Sequence, residues 1–360
     1  MDNGTILITG ATGYIGKQLA VQLARRGARL ALWLRARTRE DAEGRVAATL
    51  AAAGPDGPRA TIAWGDLNDA EPFAGVDPES ITHIVHAAAL TQFGARRQDA
   101  LATNTEGAAK LFDAARRCSR LESVSLLSTL YVAGLDAGTI PEAPTARPSG
   151  FANAYEESKW LSERLLVDAF GELPWRIVRL PTVIADGASG KAGQQNAVHK
   201  ALRLLFNGLL PVMPGRPDTP LYLATADEIV APLAELITDA PTRAVFNLVP
   251  DAADPPTLAM VIAAAHEAFG QEARYRARVP APPPWCDWDA FHALSSAAGK
   301  FSTNLVRQAH ASIAPFAQQL YVTHRVAAGS PLLTDRPIAR DTLIARVCRH
   351  LVETQWSTAS

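Results

Sequence analysis

Cysteine is scarce in this chain, and the three present, Cys118, Cys286 and Cys348, lie far apart and are odd in number. That spacing supports neither a disulfide framework nor a metal site, and it suggests buried thiols in a reducing, cytoplasmic setting. A surplus of either charge is missing too. Thirty-five Lys and Arg stand against 36 Asp and Glu, a net −1, so no overall field favours nucleic acid or an anionic membrane. No apolar run reaches the ~18 residues needed to span a bilayer, and no charged-then-apolar leader precedes the first strand, so a protein without a membrane span is expected. His83 and His86 are three apart on a stretch that reads as strand, hence on opposite faces, and no metal is expected. What remains is an ordinary globular composition, 48% hydrophobic and 20% charged over 360 residues, enough for a large α/β domain with an added lobe.

The first apolar run, TILIT (5–9), reads as a strand. Behind it Gly10, Gly13 and Gly16 lead into a helical segment with Leu19, Ala20 and Leu23 on one face. A dinucleotide site requires that order: glycine permits the tight turn and the close approach of a pyrophosphate, and the free N–H groups opening the helix favour its charge. The spacing, G-x-x-G-x-x-G, is one residue longer than the usual fingerprint. A second strand, RLALWL, ends at Arg35, with Arg37 and Arg39 close behind. An acid is absent here, where an NAD site would hold the adenosine ribose. A guanidinium instead would pair with a 2′-phosphate, which favours NADP(H); a solvated arginine run is the alternative.

Further strands recur at βα spacing: ATIAWGD ending at Asp66, ITHIVH followed by Ala87 to Ala89, VSLLST, and WRIVRLPTVIAD read as one strand. Helical stretches such as NTEGAAKLFDAARRC lie between them. The alternation implies a doubly wound parallel sheet of Rossmann type, with its ligand at the carboxyl ends of the strands. Tyr155 and Lys159, within AYEESKW, are four apart and share a helical face, about 6 Å between β-carbons. The same spacing is common on plain helix surface, so its meaning depends on its company. Thr129, between a strand and a turn, either satisfies its own backbone or presents a hydroxyl to the oxygen that Tyr155 addresses.

With TGATGYIG, HAAA, NTEG, LLSTLYVAG and YEESK in this order, the sequence resembles the extended short-chain dehydrogenase/reductases. Through LRARTREDAEGRV and AYEESKWLSERLL it resembles their thioester-reductase and fatty-acyl-reductase (male-sterility-like) branch. The resemblance is strong over residues 4–190 and nearly gone beyond 250. It implies a phosphate loop of Gly10, Thr12, Gly13, Tyr14, Ile15 and Gly16, and a 2′-phosphate held by Arg35 and Arg45. It also implies an adenine contact at Asp66 and Leu67, a ribose contact at Ala87 and Ala88, and a carboxamide contact at Pro181 and Val183. Thr129, Tyr155 and Lys159 match the catalytic triad. Asn104 matches the asparagine that supports the proton relay, though a helix N-cap is an equal reading. In such a site the Lys159 ammonium would hold the nicotinamide ribose and lower the pKa of Tyr155.

Residues 1–190 are therefore expected to form an NADP-binding Rossmann domain. Residues 191–360 should form mainly a smaller C-terminal substrate-binding lobe, with a segment at about 222–250 returning to complete the sheet. LATADEIVAPLAELI reads as an amphipathic helix, AVFNLVP as the returning strand, and DTLIARVCRHLVETQW as a helix docking through Leu343, Ile344, Val347, Leu351 and Val352. PAPPPWCDWDAFHAL (280–294) is either a lid or a stiff surface connector. The expected activity is NADPH-dependent reduction of an acyl thioester, small or carrier-protein-tethered, to the aldehyde, with onward reduction to the alcohol as a further step. A ketone/aldehyde reductase or hydroxysteroid-type dehydrogenase is the alternative, and a non-catalytic NADP-binding sensor the more distant one. Oligomeric state is not legible.

Overall fold

Short Val/Ile/Leu-rich runs buried on both faces make the central strands of the main sheet, which explains why they read as near-continuous apolar stretches. The computed structural model describes residues 4–54, 60–279, 281–301, 312–327 and 338–357. In chain order the strands are β1 (Thr5–Thr9), β2 (Arg29–Arg35), β3 (Thr61–Gly65), β4 (Ile81–His86), β5 (Ser123–Thr129), β6 (Gly138–Ile140), β7 (Trp175–Leu180), β8 (Thr182–Ala185), β9 (Met213–Pro214), β10 (Leu223–Thr225), β11 (Ala244–Asn247), β12 (Trp285–Cys286) and β13 (His324–Val326). Seven form one parallel sheet in the order β11-β7-β5-β4-β1-β2-β3. The order reverses between β1 and β4, and such a switch point opens the crevice in which α/β sheets bind ligands.

Helices cover both faces. On one side α1 (Tyr14–Arg25) packs near α2 (Arg39–Leu50), with Leu19, Ala20 and Leu23 buried as the pattern indicates. On the other lie a short α3 (Arg97–Ala100), a π-helical stretch (Leu101–Glu106), α4 (Gly107–Ala115) and α5 (Ala154–Ala169), whose Leu111, Phe112 and Leu166 enter the second core. The sequence next supplies α6 (Ala197–Phe206), α7 (Ala226–Asp239), α8 (Leu258–Phe269), α9 (Ala273–Arg278), α10 (Trp288–Phe301) and α11 (Arg340–Glu353). The α7 helix returns to the α1 side, closed at its start by a capping box of Thr225 and Glu228. A third core joins α6, α8 and α11 through Leu202, Phe206, Phe269, Leu343, Val347 and Leu351. It forms a lobe beside the carboxyl ends of the strands.

One expectation changes and two alternatives narrow. WRIVRLPTVIAD is not one strand. Pro181 lacks an N–H and interrupts the ladder, so β7 stays in the main sheet while β8 leaves it to pair with β10. Asn104 is not an N-cap, because its helical run opens at Arg97 and residue 104 lies inside it. In the described part of the proline-rich stretch, 281–294, β12 pairs with β9 and no residue lines the cleft described below, which favours the surface connector over the lid. Pro280 lies outside the described residues.

Candidate active site

Gly10 closes β1 with φ of +68°, and a Cβ there would meet the Ala88 nitrogen at 2.7 Å. At Gly16 a Cβ would stand 2.2 Å from the Gly10 oxygen. The turn thus runs hard against the end of β4, and only glycine fits at either position. Gly13 precedes α1 without a side-chain cap, and the first turn holds no acid. Open backbone N–H groups at the positive end of a helix are what a pyrophosphate needs. Arg45 on α2 donates to the Arg35 carbonyl at 2.6 Å and to Thr12 Oγ1 at 2.7 Å, tying the end of β2 to the glycine turn. Arg35 itself is exposed beside them. These features fit the nucleotide end of a nicotinamide cofactor.

A cavity of about 340 Å³ begins at this turn, lined by Gly10, Gly13, Tyr14, Ile15, Gly16 and Ala87. It continues past Thr129, Tyr155, Lys159, Pro181 and Val183. Three elements bring the reactive side chains together: β5 ends at Thr129, α5 carries Tyr155 and Lys159 one turn apart, and β4 ends beneath them. Thr129 has both roles open to it. Its Oγ1 accepts from the Tyr131 N–H at 3.3 Å, and its hydroxyl is near enough to the Tyr155 phenol to favour the phenol's ionised form.

Burial dominates the electrostatics of the pair. Burial pushes the Tyr155 phenol up, and the nearby Thr129 hydroxyl only partly offsets this. The same burial pulls the Lys159 ammonium down to about 8, against the pull of Glu163. Stripped of water by these walls, Tyr155 keeps its proton at neutral pH and stands as the neutral acid. His86, buried beside Lys159, is pulled down to about 3 by burial and then by that ammonium, and its Nδ1 lies 2.7 Å from Thr9 Oγ1.

Asn104 lies behind the cleft. Its Oδ1 accepts from the Leu90 N–H at 2.7 Å, and its Nδ2 donates to the Leu90 carbonyl at 3.0 Å and to Ser158 Oγ at 2.8 Å. It therefore fastens α5 to the loop after β4 and positions the residues on either side. Ala88 sits against Gly10, and its N–H donates to Thr9 Oγ1 at 3.2 Å. Asp66 spends its carboxylate on the Asn68 N–H at 2.9 Å, and Leu67 is buried beneath Gly107. Neither lines the cavity. Tyr14 donates to Asp186 Oδ1 at 2.7 Å, a link between the glycine turn and the loop after β8 that the sequence did not suggest. Nor did it single out Phe93, Tyr131, Thr182 or Asn196, all on the cavity wall. Tyr131 stands two residues after Thr129 in STLYVAG, which was the available signal. Among the described residues no cluster of His, Cys, Asp or Glu could hold a metal, and no helix is long and apolar enough to cross a membrane.

A parallel sheet with its glycine turn at the switch point, and a Thr/Tyr/Lys set across the same cleft, define an NAD(P)-dependent oxidoreductase of the extended short-chain type. A family model described as male sterility protein matches residues 8–232, more than half of the chain, and the chain belongs to that family. It is 29% identical over 249 residues to an isonitrile lipopeptide synthase of Mycobacterium tuberculosis, covering 60% of this chain and 10% of that protein. To a carboxylic acid reductase of the same species it is 28% identical over 234 residues, covering 56% of this chain and 20% of that one. The chain thus spans a tenth to a fifth of the length of these relatives. In fold it is similar to the terminal R domain of the myxalamid PKS-NRPS pathway, with a TM-score of 0.72 at 22% identity over 99% of this chain and 92% of that one.

Proposed function

We propose that this protein is an NADPH-dependent reductase of an acyl thioester, carried on coenzyme A or on a carrier protein, and that it releases an aldehyde. The observation that carries the reading is the meeting of Thr129, Tyr155 and Lys159 in one cleft with the glycine turn at its far end. Membership of a family whose relatives include a carboxylic acid reductase adds to it. Arg45, braced on Thr12 and Arg35, supports a 2′-phosphate and hence NADPH over NADH.

The bound nicotinamide would supply a hydride to the thioester carbonyl carbon. Thr129 and Tyr155 hold the carbonyl oxygen as its charge grows, and Tyr155 passes its proton to that oxygen, giving a hemithioacetal. The carbon–sulfur bond then breaks. The hydroxyl proton leaves, the aldehyde C=O re-forms, and the sulfur departs as a thiol, a modest acid with a pKa of about 8.5 and so a competent leaving group. Lys159 holds the ribose end and Asn104 keeps α5 in register with the β4 loop. A second hydride from a second NADPH, with a proton from Tyr155 to the aldehyde oxygen, would give the alcohol.

Loss of NADPH absorbance with a panel of acyl thioesters, aldehydes and ketones tests this directly. Thioester turnover with NADPH, falling at least about tenfold with NADH or in Arg45→Ala, is expected from the loss of charge-assisted hydrogen bonds. Brisk reduction of ketones with no thioester turnover would assign the chain to ketone reduction. NADPH binding without turnover of any carbonyl compound would make it a sensor.

A further inference from the structure

Two hydroxyls on the wall of the catalytic cleft have no part in the mechanism above. Tyr131 stands two residues beyond Thr129, in the turn that follows β5, and Thr182 opens β8 directly after Pro181. Their oxygens lie 3.0 Å apart and have no other hydrogen-bond partner among the described residues. A bond between two hydroxyls uses one of their two hydrogens, so one is left over. The phenol is the stronger acid and the alcohol the better acceptor, so Tyr131 donates and the Thr182 hydrogen is the free one. Receiving that bond polarises the Thr182 O–H and makes it a better donor.

The pair stands at the reacting end of the cleft. The Phe93 ring lies beside both phenols, 6.3 Å from the Tyr131 ring and 5.7 Å from that of Tyr155, and Tyr131 is close enough to oppose ionisation of Tyr155. Thr129 and Tyr155 address this space from β5 and α5, and Thr182 addresses it from β8. Reduction of a thioester puts negative charge on two atoms in turn. The carbonyl oxygen carries it during hydride transfer, and Thr129 and Tyr155 serve that atom. The sulfur carries it when the hemithioacetal collapses, and neither of those two side chains is free to serve it then, because both are engaged with the oxygen. A polarised hydroxyl with a hydrogen to spare, a few ångströms further round the same cleft, is the kind of group a nascent thiolate needs.

We propose that Thr182 is a catalytic residue for the second half of the reaction, its hydroxyl donating to the departing sulfur, and that Tyr131 is the positioning residue that orients and polarises that hydroxyl. In this step the hemithioacetal O–H returns its proton to the Tyr155 phenolate and the C=O bond re-forms. The C–S electron pair leaves on sulfur as a thiolate held by the Thr182 O–H, and the thiolate, whose acid has a pKa of about 8.5, then takes a proton from water. Nothing is oxidised or reduced in the collapse itself. The inference rests on the thioester-reductase reading and assigns a further residue to that site.

Single turnovers of butanoyl pantetheine, with enzyme and NADPH in excess, test it. NADPH absorbance reports hydride transfer, and a disulfide-exchange dye, blanked against the protein's own thiols, reports free pantetheine. The two signals should run together in the wild type and in Thr182→Ser, which keeps the hydroxyl. In Thr182→Val thiol release should lag hydride transfer by at least about tenfold, the loss expected for a hydrogen bond to a charged atom. Tyr131→Phe, which leaves the Thr182 hydrogen but not its polarisation, should fall between. Equal slowing of both signals in Thr182→Val would put the hydroxyl on the oxyanion or in the fold and overturn the inference, as would signals that stay in step at the wild-type rate or a lag that Thr182→Ser shares. Those results leave the thioester reading standing; a wild type that reduces no thioester removes that reading and this inference with it.

Discussion

Tyr155 keeps its proton at neutral pH, because the walls that bring it to the cleft also strip it of water. It is therefore a donor to developing negative charge and not a standing phenolate. The spacing to Lys159 was legible because four residues on a helix put two side chains on one face whatever surrounds them. The direction of the shift was not, because burial belongs to the assembled cleft and no local pattern encodes it. Phe93 and Tyr131 escaped for the same reason: one lies in the loop after β4 and the other in the 3-10 turn after β5, and the strand ends set the position of both. Replacing the phenol tests its role with little structural disturbance. Tyr155→Phe should lower kcat by about 10²- to 10⁴-fold, the range for loss of a placed proton donor, while a fluorescence titration finds NADPH affinity within about twofold. A loss of affinity as large as the loss of rate would mean that the residue serves binding instead.

The α5 helix departs from the rule that a buried face is an apolar one. Its buried positions are Glu156, Ser158, Lys159, Trp160, Ser162, Glu163 and Leu166. The polar ones pair off: Ser158 with Asn104, Ser162 with the Asn104 carbonyl, and Glu163 with the wholly buried Arg179 at 2.7 Å. Such a violation of patterning marks a helix held for its chemistry, and it made the element legible as a motif while hiding it from amphipathic periodicity. Glu156 bears the cost in pH dependence. Burial pushes its carboxyl up to about 7, only partly opposed by its three hydrogen bonds, whereas an unfolded chain ionises it near the ordinary value of about 4.3. As pH rises through that window the unfolded state has fewer bound protons, so this residue withdraws stability from about pH 4.5 to 7, with the loss complete above 7. Glu156→Gln removes the titration. Thermal melts across pH 4.5 to 8 should show the variant gaining on the wild type as pH rises through that window and running parallel above it. A difference that does not change with pH would mean that the carboxylate is not held high.

At the scale of the whole molecule, the N-terminal half was readable because each strand, turn and helix is a local unit with its own signature. In the lobe only local units such as the docking face of α11 were readable, because distant segments close it: Asn153 donates to the Pro315 carbonyl, Gln319 to the Gly134 carbonyl, and β13 pairs with β6 across more than 180 residues. Arg340 does the same for α11. It opens that helix almost fully buried, with Nε donating to Asp251 Oδ2 at 2.6 Å and Nη1 to Glu228 Oε2 at 3.0 Å. Glu228 also closes the capping box of α7, its Oε2 accepting from the Thr225 N–H at 2.8 Å. One guanidinium therefore couples the lobe to a helix of the main sheet's layer. Arg340→Ala would leave two partly buried carboxylates facing each other without a counter-charge, at a cost of about 3 kcal/mol, the lower end of the range for a broken buried pair because both acids keep some contact with water. Arg340→Lys, which keeps the charge but offers no fork to span both acids, should fall between. Urea midpoints in that order support the coupling; a lysine variant no better than alanine would mean that packing of the side chain, and not its charge, holds α11 in place.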